Sequence, residues 1–91
     1  MSTLISNPFT ALPGFDCYGC GPGNDLGFRM QFHVDGDAVV STIDDPGMSR
    51  VGFPGLLHGG FASLLMDEIM IWAVLGLCQR MTMTATLEVK Y

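Results

Sequence analysis

A histidine, two glycines and an aspartate form the most informative stretch of this sequence, His58-Gly59-Gly60 followed by Asp67. Glycines at the start of a helix let a substrate approach the backbone closely, and the free N–H groups there can hold a developing oxyanion. A carboxylate within an apolar helix is costly to bury, so its expected use is as a general base or a nucleophile. The stretch therefore predicts attack on a carbonyl carbon, with Asp67 as the base or the nucleophile and the glycines framing the oxyanion.

The spacing of these residues implies two copies of the chain. Asp67 follows Gly59 by eight residues, which is about 12 Å along a regular helix. Groups that act on one carbonyl must both come within about 3 Å of it, so a single helix cannot supply both. We therefore expect two subunits whose helices pack antiparallel across a two-fold axis.

The helix that carries Asp67 is predicted over residues 61–78, FASLLMDEIMIWAVLGLC. Apolar residues occupy nearly its whole circumference, which indicates a helix enclosed on all sides. It is almost long enough to span a membrane, but Asp67 and Glu68 lie side by side near its middle and no basic cluster flanks it. We expect the buried helix of a soluble protein. Glu68 is the second candidate for the base, and is otherwise expected to reach an edge or to pair with an arginine.

Three stretches are predicted to be β-strands. Residues 26–34 and 82–91 alternate apolar and polar side chains with period two, and residues 38–43 are rich in β-branched side chains. Asp35-Gly36 predicts a hairpin between the first two. Prolines and glycines make residues 1–23 irregular.

The predicted order is therefore β-β-α-β, in one α+β domain that spans residues 1–91 with its core in 24–91. Three strands cover one side of the helix only, and the sequence ends within the last alternation. We expect that another subunit completes the cover, or that the chain is a shortened version of a longer domain.

Composition excludes several classes of protein. The 91 residues carry a formal net charge of −5, which argues against a nucleic-acid surface and against a polybasic membrane patch. With 48% hydrophobic and 14% charged residues, the chain is too apolar to stay disordered. The first 12 residues do not resemble a signal peptide, and three cysteines are too few for a disulfide scaffold. We expect a cytoplasmic protein.

Cys17 and Cys20 form a single C-x-x-C motif. A redox pair needs a following helix that lowers the thiol pKa, whereas Gly21-Pro22-Gly23 follows here. A zinc site needs two further ligands, for which His33, His58 and Cys78 are the remaining candidates. We prefer the interpretation of two small buried residues in a tight turn, and predict no metal and no bound cofactor.

Several motifs together resemble the hotdog-fold thioesterase superfamily, in the branch of phenylacetyl-CoA thioesterases and related small acyl-CoA thioesterases. They are Cys17-Tyr-Gly-Cys20-Gly21, Asn24, Leu26-Gly27-Phe28, the loop 52–60 and the helix segment 64–68, so the resemblance covers residues 17–91.

The resemblance implies a long helix wrapped by an antiparallel sheet, in a homodimer or homotetramer with active sites at the interface. By position, Asp67 activates water or attacks the thioester, while the Gly59 N–H polarises the thioester carbonyl. His58 orders the loop, Gly60 contacts the substrate and Thr84 places a hydroxyl near the attacking water. The implied substrate is an acyl-CoA or aryl-CoA thioester.

Two alternatives stay open. The first is a non-catalytic, shortened hotdog module that assembles through its sheet edge and at most binds acyl ligands. The second is an acyl-thioester dehydratase or hydratase on the same fold, which needs a histidine paired with a carboxylate in another arrangement. The glycine pair fits an oxyanion role better than it fits that second alternative.

Overall fold

A computed structural model describes residues 2–91 as an α+β arrangement of one small antiparallel sheet and one long helix. The strands are β1 (Ser2–Leu4), β2 (His33–Asp35) and β3 (Ala38–Val40), paired in the order β1-β2-β3, and the helix is α1 (Gly59–Cys78). Short 3₁₀ turns lie at Pro8–Ala11 and Met48–Arg50. The observed order of the described residues is β-β-β-α, so the predicted order β-β-α-β is wrong.

The core lies where α1 crosses the loop before β2. Trp72 of the helix stacks on Phe32 with ring centroids 4.4 Å apart and an interplanar angle of 8°, and Phe9 meets the edge of Trp72 at 5.9 Å. Cys20 and Met30 complete the set of buried hydrophobic side chains among residues 2–91. Gly76 lets the helix approach the sheet, since a Cβ there would lie 2.7 Å from Ile5 Cδ1.

The predicted hairpin is confirmed. Asp35 pairs with Ala38, which leaves Gly36 and Asp37 as a two-residue turn, and Gly36 adopts the positive φ of 65° that such a turn needs. The returning strand is shorter than predicted and ends at Val40.

The strand predicted over 26–34 forms only at its end, in β2. Phe28 and Met30 donate their N–H groups to the carbonyls of Tyr18 and Gly19, and Arg29 between them has a positive φ of 50° that interrupts the extended backbone. The alternation still predicts which side chains are buried in part of this stretch, because Met30 and Phe32 are buried while Arg29 and Gln31 are exposed. Leu26, predicted on the apolar face, is 76% exposed.

Two predictions at the ends of the chain are also wrong. Within the region predicted to be irregular, Ser2–Leu4 forms β1 by pairing with β2, while Met1 lies outside the described residues. Residues 82–91 form no strand. The helix ends at Cys78, and Gln79 follows it in the left-handed conformation. The chain then returns along the helix as irregular backbone, without a neighbouring strand to pair with.

The helix begins at Gly59, two residues before the predicted start, and Trp72 is its only buried residue. Met66, Met70 and Leu77 remain 44%, 44% and 41% exposed. The expected enclosure on all sides is therefore not supplied by the described part of this chain. By length and composition the helix is also apolar enough to cross a membrane.

Candidate functional site

The start of α1 is organised by His58. Its backbone is extended, and its Nδ1 accepts a hydrogen bond of 2.9 Å from the Gly60 N–H, as a helix-capping side chain does. Its own N–H donates to the Arg50 carbonyl at 2.8 Å, which fixes the preceding loop. The Gly60 N–H is thus engaged by His58, whereas the Gly59 N–H has no acceptor among residues 2–91. Of the two glycines, Gly59 is the one that can offer its amide to a ligand.

The Tyr91 side chain packs over the start of α1, a contact that the sequence analysis did not predict. Its hydroxyl donates to the Gly59 carbonyl at 2.8 Å and also bonds the Ser63 hydroxyl. Its ring lies so close that a Cβ on Gly59 would be 3.3 Å from it. The sequence carried no signal for this contact, because it depends on the returning path of residues 79–91.

Asp67 and Thr84 meet on one side of the helix. The Thr84 hydroxyl donates to Asp67 Oδ1, while Oδ2 has no hydrogen-bond partner in the part of the chain that the structure describes. Asp67 is half-buried and faces an open groove of about 460 Å³. The groove is lined by the helix and the returning segment, at Gly60, Ser63, Leu64, Asp67, Thr84 and Leu87. This arrangement can hold a water molecule on Oδ2.

The structure does not bring Asp67 to the amide of Gly59 in the same chain. Both residues belong to α1, which is continuous from Gly59 to Cys78. Their separation of eight residues corresponds to about 12 Å along the axis. The Gly59 amide and the Asp67 carboxylate therefore lie at two separate places along α1; if both act on one substrate, each is a half-site.

An apolar groove of about 290 Å³ lies on the other side of the helix. Its lining includes Met30, Ile43, Leu57, Leu65, Met66 and Ile69. At about 100° per residue, Leu65 and Ile69 are each roughly 160° around the helix from Asp67. The Asp67 carboxylate of the same chain therefore does not face this groove.

A third cluster joins Glu68 to the C-x-x-C loop. The Cys17 thiol donates to Glu68 Oε1 at 2.9 Å, so the expected arginine partner of Glu68 is replaced by a thiol. Burial raises the pKa of the Cys20 thiol to about 12, with further contributions from its hydrogen bond to Cys17 and from the negative charge of Glu68. The sequence analysis did not predict this cluster. The one sequence feature that pointed to it is that Glu68 precedes the core residue Trp72 by one helical turn.

The chain matches no protein-family model, and comparisons with curated proteins and with solved structures also return no match.

Proposed function

We propose that this chain is a cytoplasmic acyl-CoA thioesterase that acts as a homodimer, or as a pair of dimers, with active sites shared between subunits. The observation that carries the proposal is the Asp67 carboxylate, held by Thr84 through one oxygen while the other faces the groove. We further propose that the α+β arrangement is part of a hotdog domain in which α1 is the central helix.

The reaction needs one base and one anion-binding group. Asp67 Oδ2 accepts a proton from water as the water oxygen attacks the thioester carbonyl carbon. The carbonyl oxygen gains the negative charge and is stabilised by the Gly59 N–H of the other subunit. Collapse of this intermediate breaks the C–S bond, and the proton returns from Asp67 to the thiolate, giving a carboxylic acid and coenzyme A.

The exposed flank of the helix supports the proposal that α1 packs against a second copy of the chain. Met66, Met70 and Leu77 are exposed and follow one another at spacings of four and seven residues, so they share one stripe of α1. If Gly59 lies beside the partner's Asp67 in an antiparallel pair, Met70 faces the loop before the partner's helix. That loop exposes Phe53 and Leu56, at 76% and 61%. The apolar surfaces of the two subunits would therefore be in contact next to the place where Gly59 of one subunit meets Asp67 of the other.

The two adjacent carboxylates favour a soluble helix over a membrane span. Asp67 accepts from Thr84 and Glu68 accepts from Cys17, so both are held by side chains from other segments of the domain. Two carboxylates near the middle of a spanning helix would each be costly.

The first test is Asp67→Asn, assayed by thiol release from a panel of short-chain and aryl-CoA esters. Loss of the general base is expected to lower kcat by at least about 100-fold. Asp37→Asn makes the same chemical change in the exposed hairpin turn and should leave kcat unchanged. Near-parental turnover by Asp67→Asn would remove that residue from catalysis.

The second test asks whether the site is shared. Gly59→Pro removes the amide hydrogen at the first helical position, where proline is tolerated, and Gly59→Ala keeps that hydrogen. Each of Asp67→Asn and Gly59→Pro alone should be inactive. Mixing and reassociating the two should restore about a quarter of parental activity, since half of the dimers are mixed and each holds one intact site. No recovery, in a mixture proven to contain mixed dimers, contradicts the shared site.

The exposed helix flank also favours the non-catalytic alternative, an oligomerising module that at most binds acyl ligands. It predicts a stable oligomer by light scattering together with no hydrolysis of any ester in the panel. Turnover that is abolished by Asp67→Asn and retained by Asp37→Asn excludes it.

A further inference from the structure

The two thiols of the C-x-x-C loop and the Glu68 carboxylate form a cluster that the proposed hydrolysis does not use. One ligand atom from each of Cys17, Cys20 and Glu68 lies within 4.8 Å of the other two. Two of these atoms, Cys17 Sγ and Glu68 Oε1, are 2.9 Å apart. The glutamate comes from α1, so the cluster joins two segments that are distant in the sequence.

The loop is held by backbone hydrogen bonds that fix the position of both thiols. The Gly21 N–H donates to the Cys17 carbonyl at 2.9 Å, and the Met30 N–H donates to the Gly19 carbonyl at 2.9 Å. The Asn7 side chain donates to the Cys20 carbonyl at 3.0 Å. A metal ion would therefore meet ligands whose backbone is already ordered.

Gly19 brings the loop and the carboxylate together. A Cβ at this position would collide with the Glu68 carboxyl group. Gly19 has no positive φ, so its backbone conformation does not require glycine, and a Cβ there would instead displace the Glu68 carboxyl group.

The chemistry of these donors selects zinc. Thiolate ligands favour Zn²⁺ over Mg²⁺ and Ca²⁺, which prefer oxygen, and glutamate is also a zinc ligand. With Zn–S bonds of about 2.3 Å, neighbouring ligand atoms of a tetrahedral site are about 3.8 Å apart. Atoms at the 4.8 Å limit need a contraction of about 1 Å to reach that spacing, whereas Cys17 Sγ and Glu68 Oε1, at 2.9 Å, must separate by slightly less than about 1 Å. A dication would also offset the negative charge that Glu68 and two thiolates place in a partly buried site.

We propose that Cys17, Cys20 and Glu68 bind a zinc ion, with water in the fourth position. Binding releases the two thiol protons to solvent, since the thiolates are the ligands. This proposal differs from the expectation drawn from sequence, which sought further ligands among histidines and Cys78 and did not consider Glu68.

Alkylation of the full chain tests the proposal without any substitution. The reduced, chelator-treated protein is treated with iodoacetamide with and without one equivalent of Zn²⁺, and modified cysteines are located by peptide mass. Zinc should protect the partly buried Cys17, while the exposed Cys78 is alkylated equally in both samples. Equal modification of Cys17 with and without zinc would overturn the site.

Substitutions then identify the ligands, with affinity measured by competition against a chromophoric chelator. Cys17→Ser and Glu68→Gln should each lower zinc affinity by more than about tenfold. Loss of a residue that only hydrogen-bonds a metal ligand already lowers metal affinity by about that factor. Gly19→Ala should weaken binding while keeping all three ligands. Cys78→Ser is the matched control, and circular dichroism establishes that each variant is folded. Unchanged affinity in folded Glu68→Gln, or a loss in Cys78→Ser, contradicts the assignment.

Discussion

Asp67 and Glu68 are neighbours in the chain that occupy two different environments. Consecutive residues of a helix point about 100° apart. Asp67 therefore faces an open groove and a threonine hydroxyl, whereas Glu68 faces the thiol of Cys17. Asp67 could be singled out from sequence, because a carboxylate within an apolar helix requires a reason. The partner of Glu68 could not, since it lies 51 residues away.

Thr84 is predicted to act through Asp67 and not through the substrate. Thr84→Val removes the hydroxyl that orients the carboxylate. Because this contact is solvent-exposed, kcat should fall only about three- to tenfold, the effect of an ordinary hydrogen bond of about 0.5–1.5 kcal/mol. KM should stay unchanged, and Thr84→Ser should restore kcat. Steady-state kinetics on one acyl-CoA ester measure both constants. A raised KM with parental kcat would instead place Thr84 in substrate binding.

Among the secondary-structure elements, those that depend on contacts between residues close in sequence could be predicted from the sequence. The apolar run predicted α1, and Asp35-Gly36 predicted the hairpin, because both depend on residues close in sequence. The helix start was misplaced by two residues, since glycine has low helix propensity and the His58 cap offsets it. The alternation of 82–91 was misleading, because period two indicates an extended chain and does not supply a strand to pair with.

His58 is predicted to stabilise α1 through its side chain. His58→Ala removes the acceptor for the Gly60 N–H and should lower the free energy of unfolding by about 1 kcal/mol. His58→Asn supplies another capping oxygen and should keep most of that stability. Urea unfolding at fixed protein concentration makes the comparison, because the stability of an oligomer depends on concentration. Equal stability of the alanine and asparagine variants would show that the cap contributes nothing.

For the whole molecule, the exposed flank of α1 is the feature that sequence analysis anticipated best. The helix was expected to need more cover than three strands provide, and Met66 and Met70 are each 44% exposed. What sequence could not supply was the path of residues 79–91, which cover a neighbouring stripe of the helix and reach its start through Tyr91.

The exposed flank is predicted to be the dimer interface. The double variant Met66→Lys, Met70→Lys places two charges per subunit in it. The dimer dissociation constant should rise by more than about 100-fold, because the interface loses four half-exposed methionines, each contributing about 1 kcal/mol when its remaining surface is buried, and gains four charges. Leu12→Lys, at a leucine that is 55% exposed and lies just after the turn Pro8–Ala11, is the control. Sedimentation equilibrium measures the constant for each protein. An unchanged constant in the double variant would assign the interface to another surface.

The contact between Cys17 and Glu68 closes a loop of 51 residues, more than half of the chain. The described residues hold only four buried hydrophobic side chains, Cys20, Met30, Phe32 and Trp72. Domains with so little interior commonly rely on cross-links, which restrict the unfolded chain. A zinc ion bound at this contact would act as such a cross-link, so the fraction of the protein that is folded would depend on the zinc available in the cell.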